Sequence, residues 1–138
     1  MSVIVVDASV AAKWFLTEPG STVATLLLHG QDDLIGPELL MVESAAAIVR
    51  RFRTGGLDHV QTRRLLAEAH AVFKMRSITL HANFGLVPRA EELAVELRRP
   101  LQDCLYIACA EAVDGELVTA DATLLTRTQS RFPFIKAL

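Results

Sequence analysis

Four isolated acids, Asp7, Glu43, Asp103 and Asp121, interrupt or border strongly apolar stretches: VIVVDASV, LLMVESAAAIV, PLQDCLYIACA and ELVTAD. A carboxylate is rarely buried without a partner, because leaving water penalises its charged form. Two carboxylates about 4 Å apart repel by roughly 4 kcal/mol at an effective dielectric of about 20. Four brought together must take up protons or hold cations. Oxygen ligands with no thiolate or imidazole among them favour Mg²⁺ or Mn²⁺. Such ions suit phosphodiester hydrolysis, since they acidify water and steady a leaving oxygen. No serine, cysteine or histidine is placed as a covalent nucleophile, so direct attack by water is the expected mechanism.

Each acid also has a plainer reading. Asp7 can cap a helix that begins at Ala8 or Ser9, and Asp121 can cap a short helix over 122–127. Asp103 falls in the first helical turn after Pro100, where its charge complements the helix dipole. Glu43 has the weakest structural alternative. Its neighbours three and four residues away, Leu39, Leu40, Ala46 and Ala47, predict a buried face.

A polyanionic substrate needs positive charge beside the acids. Arg50 and Arg51 follow Glu43 on one helix, Lys13 follows Asp7, and Arg127 follows Asp121. Each is a candidate phosphate contact.

The elements that must position these groups follow from the apolar pattern. Residues 3–6 read as a buried parallel strand, and further strands are expected at 34–36, 77–80, 116–119 and 132–135. Helices are expected over 9–16, 22–28, 37–53, 59–75, 87–98 and 101–113, with Pro37 in the first turn of the third. Helix 101–113 is apolar almost all round and is therefore expected at the centre. Strands alternating with helices imply an α/β fold, a three-layer α/β/α sandwich on a parallel sheet of four or five strands. In such sheets ligands sit at the carboxyl ends of the strands where the strand order reverses. Asp7 and Asp121 meet there if the first and fourth strands are neighbours.

The 138 residues are a single-domain length, so one domain over 1–138 is expected. The hydrophobic fraction is 51% and the mean hydropathy +0.34, yet no stretch approaches the roughly 18 apolar residues of a membrane span. The start MSVIVVDASV lacks a basic leader, so no export signal is read and a cytoplasmic location is expected. Cys104 and Cys109 lie on different faces of one helix and read as core residues, not a disulfide. The four histidines show no ligand spacing. A net charge of −2 gives no global attraction to nucleic acid. Apolar residues around Trp14, Phe15, Leu16 and Leu26–Leu28 suit contact with a partner.

In its opening strand into Asp7-Ala8-Ser9, its Pro37-to-Glu43 helix, DCLYIACA from Asp103 and LVTAD ending at Asp121, the chain resembles the PIN-domain family. Within that family it is similar to the VapC-type toxins of toxin–antitoxin pairs, over nearly the whole chain. The resemblance implies a Mg²⁺- or Mn²⁺-dependent endoribonuclease acting on RNA. It also implies a VapB-like antitoxin whose C-terminal segment covers the active site, and commonly a homodimer. Carried over by position, Asp7, Glu43, Asp103 and Asp121 are metal ligands, with Ser9 and Thr119 as supporting polar residues. Some relatives carry a further acid after the fourth motif; residues 122–130 contain none, so one tightly held ion is expected, with a second arriving on the RNA.

Other classes fit less well. A receiver domain wants adjacent acids after its first strand, and a haloacid-type phosphatase wants an acid where Ser9 stands. The stronger rival is a catalytically quiet PIN-like module that binds protein.

Overall fold

The β-branched run Val3–Val6 becomes strand β1, with Val5 and Val6 fully buried. In the computed structural model, which describes residues 2–75 and 77–138, β1 lies at the centre of a five-stranded parallel sheet. The order is β3-β2-β1-β4-β5, where β2 is Asp33–Pro37, β3 Thr79–His81, β4 Glu116–Thr119 and β5 Ile135–Ala137. The chain steps outward from β1 through β2 to β3, then returns to the other side of β1 as β4. The strand order therefore reverses between β1 and β4.

Helices α1 (Ala8–Phe15), α2 (Ser21–Leu28), α3 (Leu39–Arg53) and α4 (His59–Lys74) pack on one another as one layer. Helices α5 (Asn83–Leu97) and α6 (Leu101–Val113) form an antiparallel pair, and α6 lies across β1, β2 and β4. Right-handed crossovers place these two groups on opposite faces of the sheet. A short helix α7 (Ala122–Thr128) joins β4 to β5. As its composition demands, α6 is the central helix, with every residue from Cys104 to Ala110 buried. Both cysteines there are free, and burial pushes the thiols up, to about 11 for Cys104 and about 12 for Cys109. A guanidinium–carboxylate fork, Arg89 Nε and Nη2 on the two oxygens of Glu111 at 2.8 and 3.1 Å, clamps α5 to α6.

Several boundaries differ from the sequence expectation. Pro37 does not open α3; it ends β2 opposite His81, where its missing N–H costs no ladder bond within the strand. Helix α5 begins at Asn83, not at 87, and runs through Pro88. The reason is an exchange of caps: Asn83 Oδ1 accepts from the Leu39 amide at 3.2 Å, and Glu38 Oε1 accepts from the Asn83 amide at 3.1 Å. Each acid or amide thus satisfies the orphan donor of the other helix. Asn83→Ala is expected to cost about 1 kcal/mol, or roughly 3–5 °C in thermal midpoint. A midpoint unchanged within one degree would refute the capping role. β5 shifts to Ile135–Ala137, because Phe132 and Phe134 turn inward and pack edge to face at 5.7 Å.

The apolar face expected around Trp14, Phe15 and Leu16 is also revised. Phe15 and Leu16 are buried with Ile48 and Ala69 in a second core cluster, and Trp14 Nε1 donates to the Ala24 carbonyl at 2.8 Å. Leu26 alone of that group is well exposed. A separate apolar groove of about 360 Å³ lies between α3 and α4, lined by Met41, Val42, Leu66, His70 and Phe73 among others.

Candidate active site

At the reversal of strand order, β1 delivers Asp7 and β4 delivers Thr119 side by side, joined by the Asp7 amide on the Val118 carbonyl at 3.4 Å. Asp7 is 5% exposed. Its Oδ1 accepts from the Ser9 hydroxyl at 2.5 Å and the Val10 amide at 3.2 Å, and its Oδ2 accepts from the Thr119 hydroxyl at 2.5 Å. The carboxyl therefore caps α1 and ties α1 to β4 at once. Burial raises its pKa; the Ser9 and Thr119 hydroxyls, then the backbone amides, oppose the rise. Ser9 Oγ in turn accepts from the Ala120 amide at 2.9 Å, and Thr119 Oγ1 from the Asp121 amide at 3.0 Å. These bonds fix the backbone that carries Asp121, whose Oδ1 caps α7 through the amides of Thr123 and Leu124.

The other two acids come from the helix layers. Glu43, half-buried on α3, accepts from the Tyr106 hydroxyl of α6 at 2.6 Å. Burial raises the pKa of Tyr106, and the charges of Glu43, Asp7 and Asp103 push it the same way. That phenol is the point from which three of the four acids are felt together. Asp103 itself is paired with Arg99, Nη2 to Oδ2 at 2.7 Å. Glu43 and Ser9 line one cleft of about 390 Å³, along with Ala120, Lys13, Glu18 and Arg50. Asp121 and Thr119 line an adjoining cleft of about 400 Å³ that shares Lys13 and Ala120 with it.

The model for the PIN domain matches residues 4–129. The chain belongs to the PIN-domain family. Among curated proteins it is similar to Ribonuclease VapC3 of Pyrobaculum aerophilum, 28% identical over 121 residues that cover 88% of this chain and 91% of that one. Among solved structures it is similar to VapC20 of Mycobacterium tuberculosis, described as a Sarcin-Ricin loop cleaving toxin. There the TM-score is 0.70 at 16% identity, covering 91% of this chain and 95% of that one. A crystal structure of a Pyrobaculum aerophilum protein gives 0.68 at 22% identity, covering 98% and 83%. A toxin–antitoxin complex from Klebsiella pneumoniae gives 0.58 at 15%, covering 96% and 94%. At these identities the three structures establish the shared PIN fold.

Within this PIN fold, Asp7, Ser9, Thr119 and Asp121 are linked by hydrogen bonds, and Glu43 lines the same cleft as Ser9. Among the described residues no three His, Cys, Asp or Glu side chains stand grouped as a metal ion requires. Each acid is instead turned to its own hydrogen-bond donor: Ser9 and Thr119 for Asp7, Tyr106 for Glu43, Arg99 for Asp103 and the α7 amides for Asp121. The donor set itself is all oxygen and suits a hard divalent cation.

The basic residues divide. Arg50 and Lys13 line the cleft of Glu43, Lys13 facing Glu18 at 3.5 Å. Arg51 is turned instead to Glu18, at 3.2 Å. Arg127 lies exposed on α7, beside Thr123 and Thr126, in a separate shallow depression. Besides Tyr106, two participants were not anticipated from sequence. Glu18, the shared partner of Lys13 and Arg51, sits in a turn with no periodic signal. Arg99 stands four residues before Asp103, but Pro100 between them hides the pairing.

Proposed function

We propose that this chain is the toxin of a type II toxin–antitoxin pair and a divalent-cation-dependent endoribonuclease. The observation that carries the reading is the joint between β1 and β4: a buried aspartate, Asp7, held by Ser9 and Thr119 at the switch point of a parallel sheet. Residues 1–138 are read as one nuclease domain. The PIN-domain match and the resemblance to Ribonuclease VapC3 support RNA as substrate.

Asp7, Glu43, Asp103 and Asp121 would hold Mg²⁺ or Mn²⁺. A bound ion of this kind supplies acidified water and charge stabilisation at the scissile phosphate. The protein's own part is positioning. Ser9 and Thr119 donate their hydroxyl protons to Asp7, which keeps both its oxygens aimed and opposes the rise in pKa that burial causes. The Tyr106 hydroxyl holds Glu43 where it lines the cleft. Arg50 and Lys13 offer the sugar–phosphate backbone positive charge at the rim, while Arg51 and Arg127 make weaker claims to that role from where they stand.

A VapB-like antitoxin, a homodimer and a cytoplasmic location belong to the same reading. The apolar groove between α3 and α4 supports a protein partner, and no helix among the described residues is long and apolar enough to cross a membrane. The test is cleavage of total RNA with mapped ends by wild type and Asp103→Asn, each in Mg²⁺, in Mn²⁺ and in chelator. Discrete cuts by the wild type in either metal, lost in chelator and in the variant, are expected. Identical fragments from both proteins, or none from either, would leave the quiet protein-binding module as the better description.

A further inference from the structure

We propose that Arg99 is a tethered counter-charge that competes with the divalent cation for Asp103, so that the α5–α6 link holds down the cation affinity of the site. The inference rests on the reading of Asp103 as a cation ligand.

Arg99 occupies a link of three residues between two packed helices. Before it, Arg98 closes α5 in the left-handed conformation at φ 53°, unusual for a side chain of that size. After it, Pro100 opens α6. The Arg99 amide is fixed on the Ala94 carbonyl at 3.2 Å. The backbone therefore presents the side chain in one direction, and the guanidinium folds over the first turn of α6 onto Asp103. The Arg99 side chain is 12% exposed and that of Asp103 28%.

The quality of this pair separates it from a structural clamp. Arg89, far more exposed, grips both oxygens of Glu111 with two nitrogens. Arg99 makes one bond, Nη2 to Oδ2 at 2.7 Å, and its buried Nε has no hydrogen-bond partner among the described residues. A dry, unsatisfied guanidinium nitrogen costs free energy that a two-bonded fork does not. The contact is thus strong enough to neutralise Asp103 and poor enough to give way. A dication brought to Asp103 meets a fixed positive charge within bonding distance of the same carboxylate, and the two repel. Either the guanidinium leaves or the ion binds weakly. A structural or aiming role makes the opposite forecast, since an orienting neighbour normally raises metal affinity.

Mn²⁺ titration of the full chain by calorimetry, without RNA, decides between them. Arg99→Gln is expected to bind Mn²⁺ about tenfold more tightly than wild type, the order set by removing one positive charge about 6 Å from a dication in a water-like dielectric, and Arg99→Lys to stay near wild type. Unchanged or weaker binding by a folded Arg99→Gln overturns the proposal alone. Binding by Asp103→Asn equal to wild type overturns it together with the reading beneath it. A wild-type measurement stands even if Arg99→Gln fails to fold: the Nε–H resonance of Arg99 followed through a Mg²⁺ titration. Its shift to a rapidly exchanging, solvated line at saturation is expected. A line unchanged at saturating Mg²⁺ refutes displacement.

Discussion

Asp7→Asn is expected to abolish cleavage while leaving the protein at least as stable as wild type at neutral pH. The loss of rate follows from removing a charge held where charge must be stabilised, an effect of roughly 10²–10³-fold or more. The stability forecast follows from the direction of the Asp7 shift. Its folded pKa is raised above the ordinary 3.8, chiefly by burial. A raised carboxyl favours the folded state fully below the unfolded pKa, and that contribution disappears as pH climbs through the folded value. Above the ordinary carboxyl range the wild type therefore folds against burial's opposition to the charged form. Asparagine removes the charge and keeps the shape. Its carbonyl can accept from Ser9 and the Val10 amide, and the Thr119 hydroxyl can turn to accept from its amide. Thermal midpoints of both proteins between pH 4 and pH 8 provide the check. The wild type should lose stability relative to the variant as pH rises, and Mn²⁺ should stabilise the wild type only. A variant markedly less stable than wild type at neutral pH would contradict the assignment of burial as the dominant influence on Asp7.

The second large effect lies away from the acids. Gly115 joins α6 to β4, following Asp114 in its left-handed turn at φ 53°. A methyl group on Gly115 would sit 2.6 Å from the Val3 carbonyl oxygen and 3.0 Å from Val3 Cγ1. The oxygen is backbone in the central strand and cannot swing aside. Gly115→Ala must therefore prise the start of β4 from β1, at a cost of about 2–3 kcal/mol, or roughly 6–15 °C in midpoint. Gly85 is the matched control: it lies inside α5 with nothing within 4 Å of an added Cβ. Gly85→Ala should be neutral or stabilising by up to about 1 kcal/mol. Because Asp7 and Thr119 meet through the same pair of strands, Gly115→Ala should also weaken Mn²⁺ binding under conditions where it is still folded. Equal midpoints for Gly115→Ala and wild type would mean that the strands have slack the contact does not show.

The parts legible from sequence were those written in a single local pattern. The β-branched run before Asp7, the all-apolar α6 and the LVTAD strand each announce themselves, and the parallel α/β sandwich follows from their alternation. What escaped notice depends on partners distant along the chain. Pro37 reads as a helix opener until β3 is seen to pair with it. The true start of α5 needs Glu38, 45 residues earlier, to cap Asn83. At the site, periodicity places Glu43 on a buried face but does not disclose that Tyr106 would bond to it. The same limit applies to the bases: Arg50 and Arg51 are indistinguishable as letters, and only Glu18 separates their roles.

The sheet order carries a consequence for biosynthesis. Asp7 emerges from the ribosome well before its sheet neighbour β4, with every element from α1 to α6 translated between them. While β4 is still inside the exit tunnel, the nascent polypeptide has no Thr119 or Asp121 to set against Asp7. On the proposed reading, competence to cut is thereby deferred until β4 has been translated, because a nascent chain short of β4 cannot assemble the joint that holds Asp7.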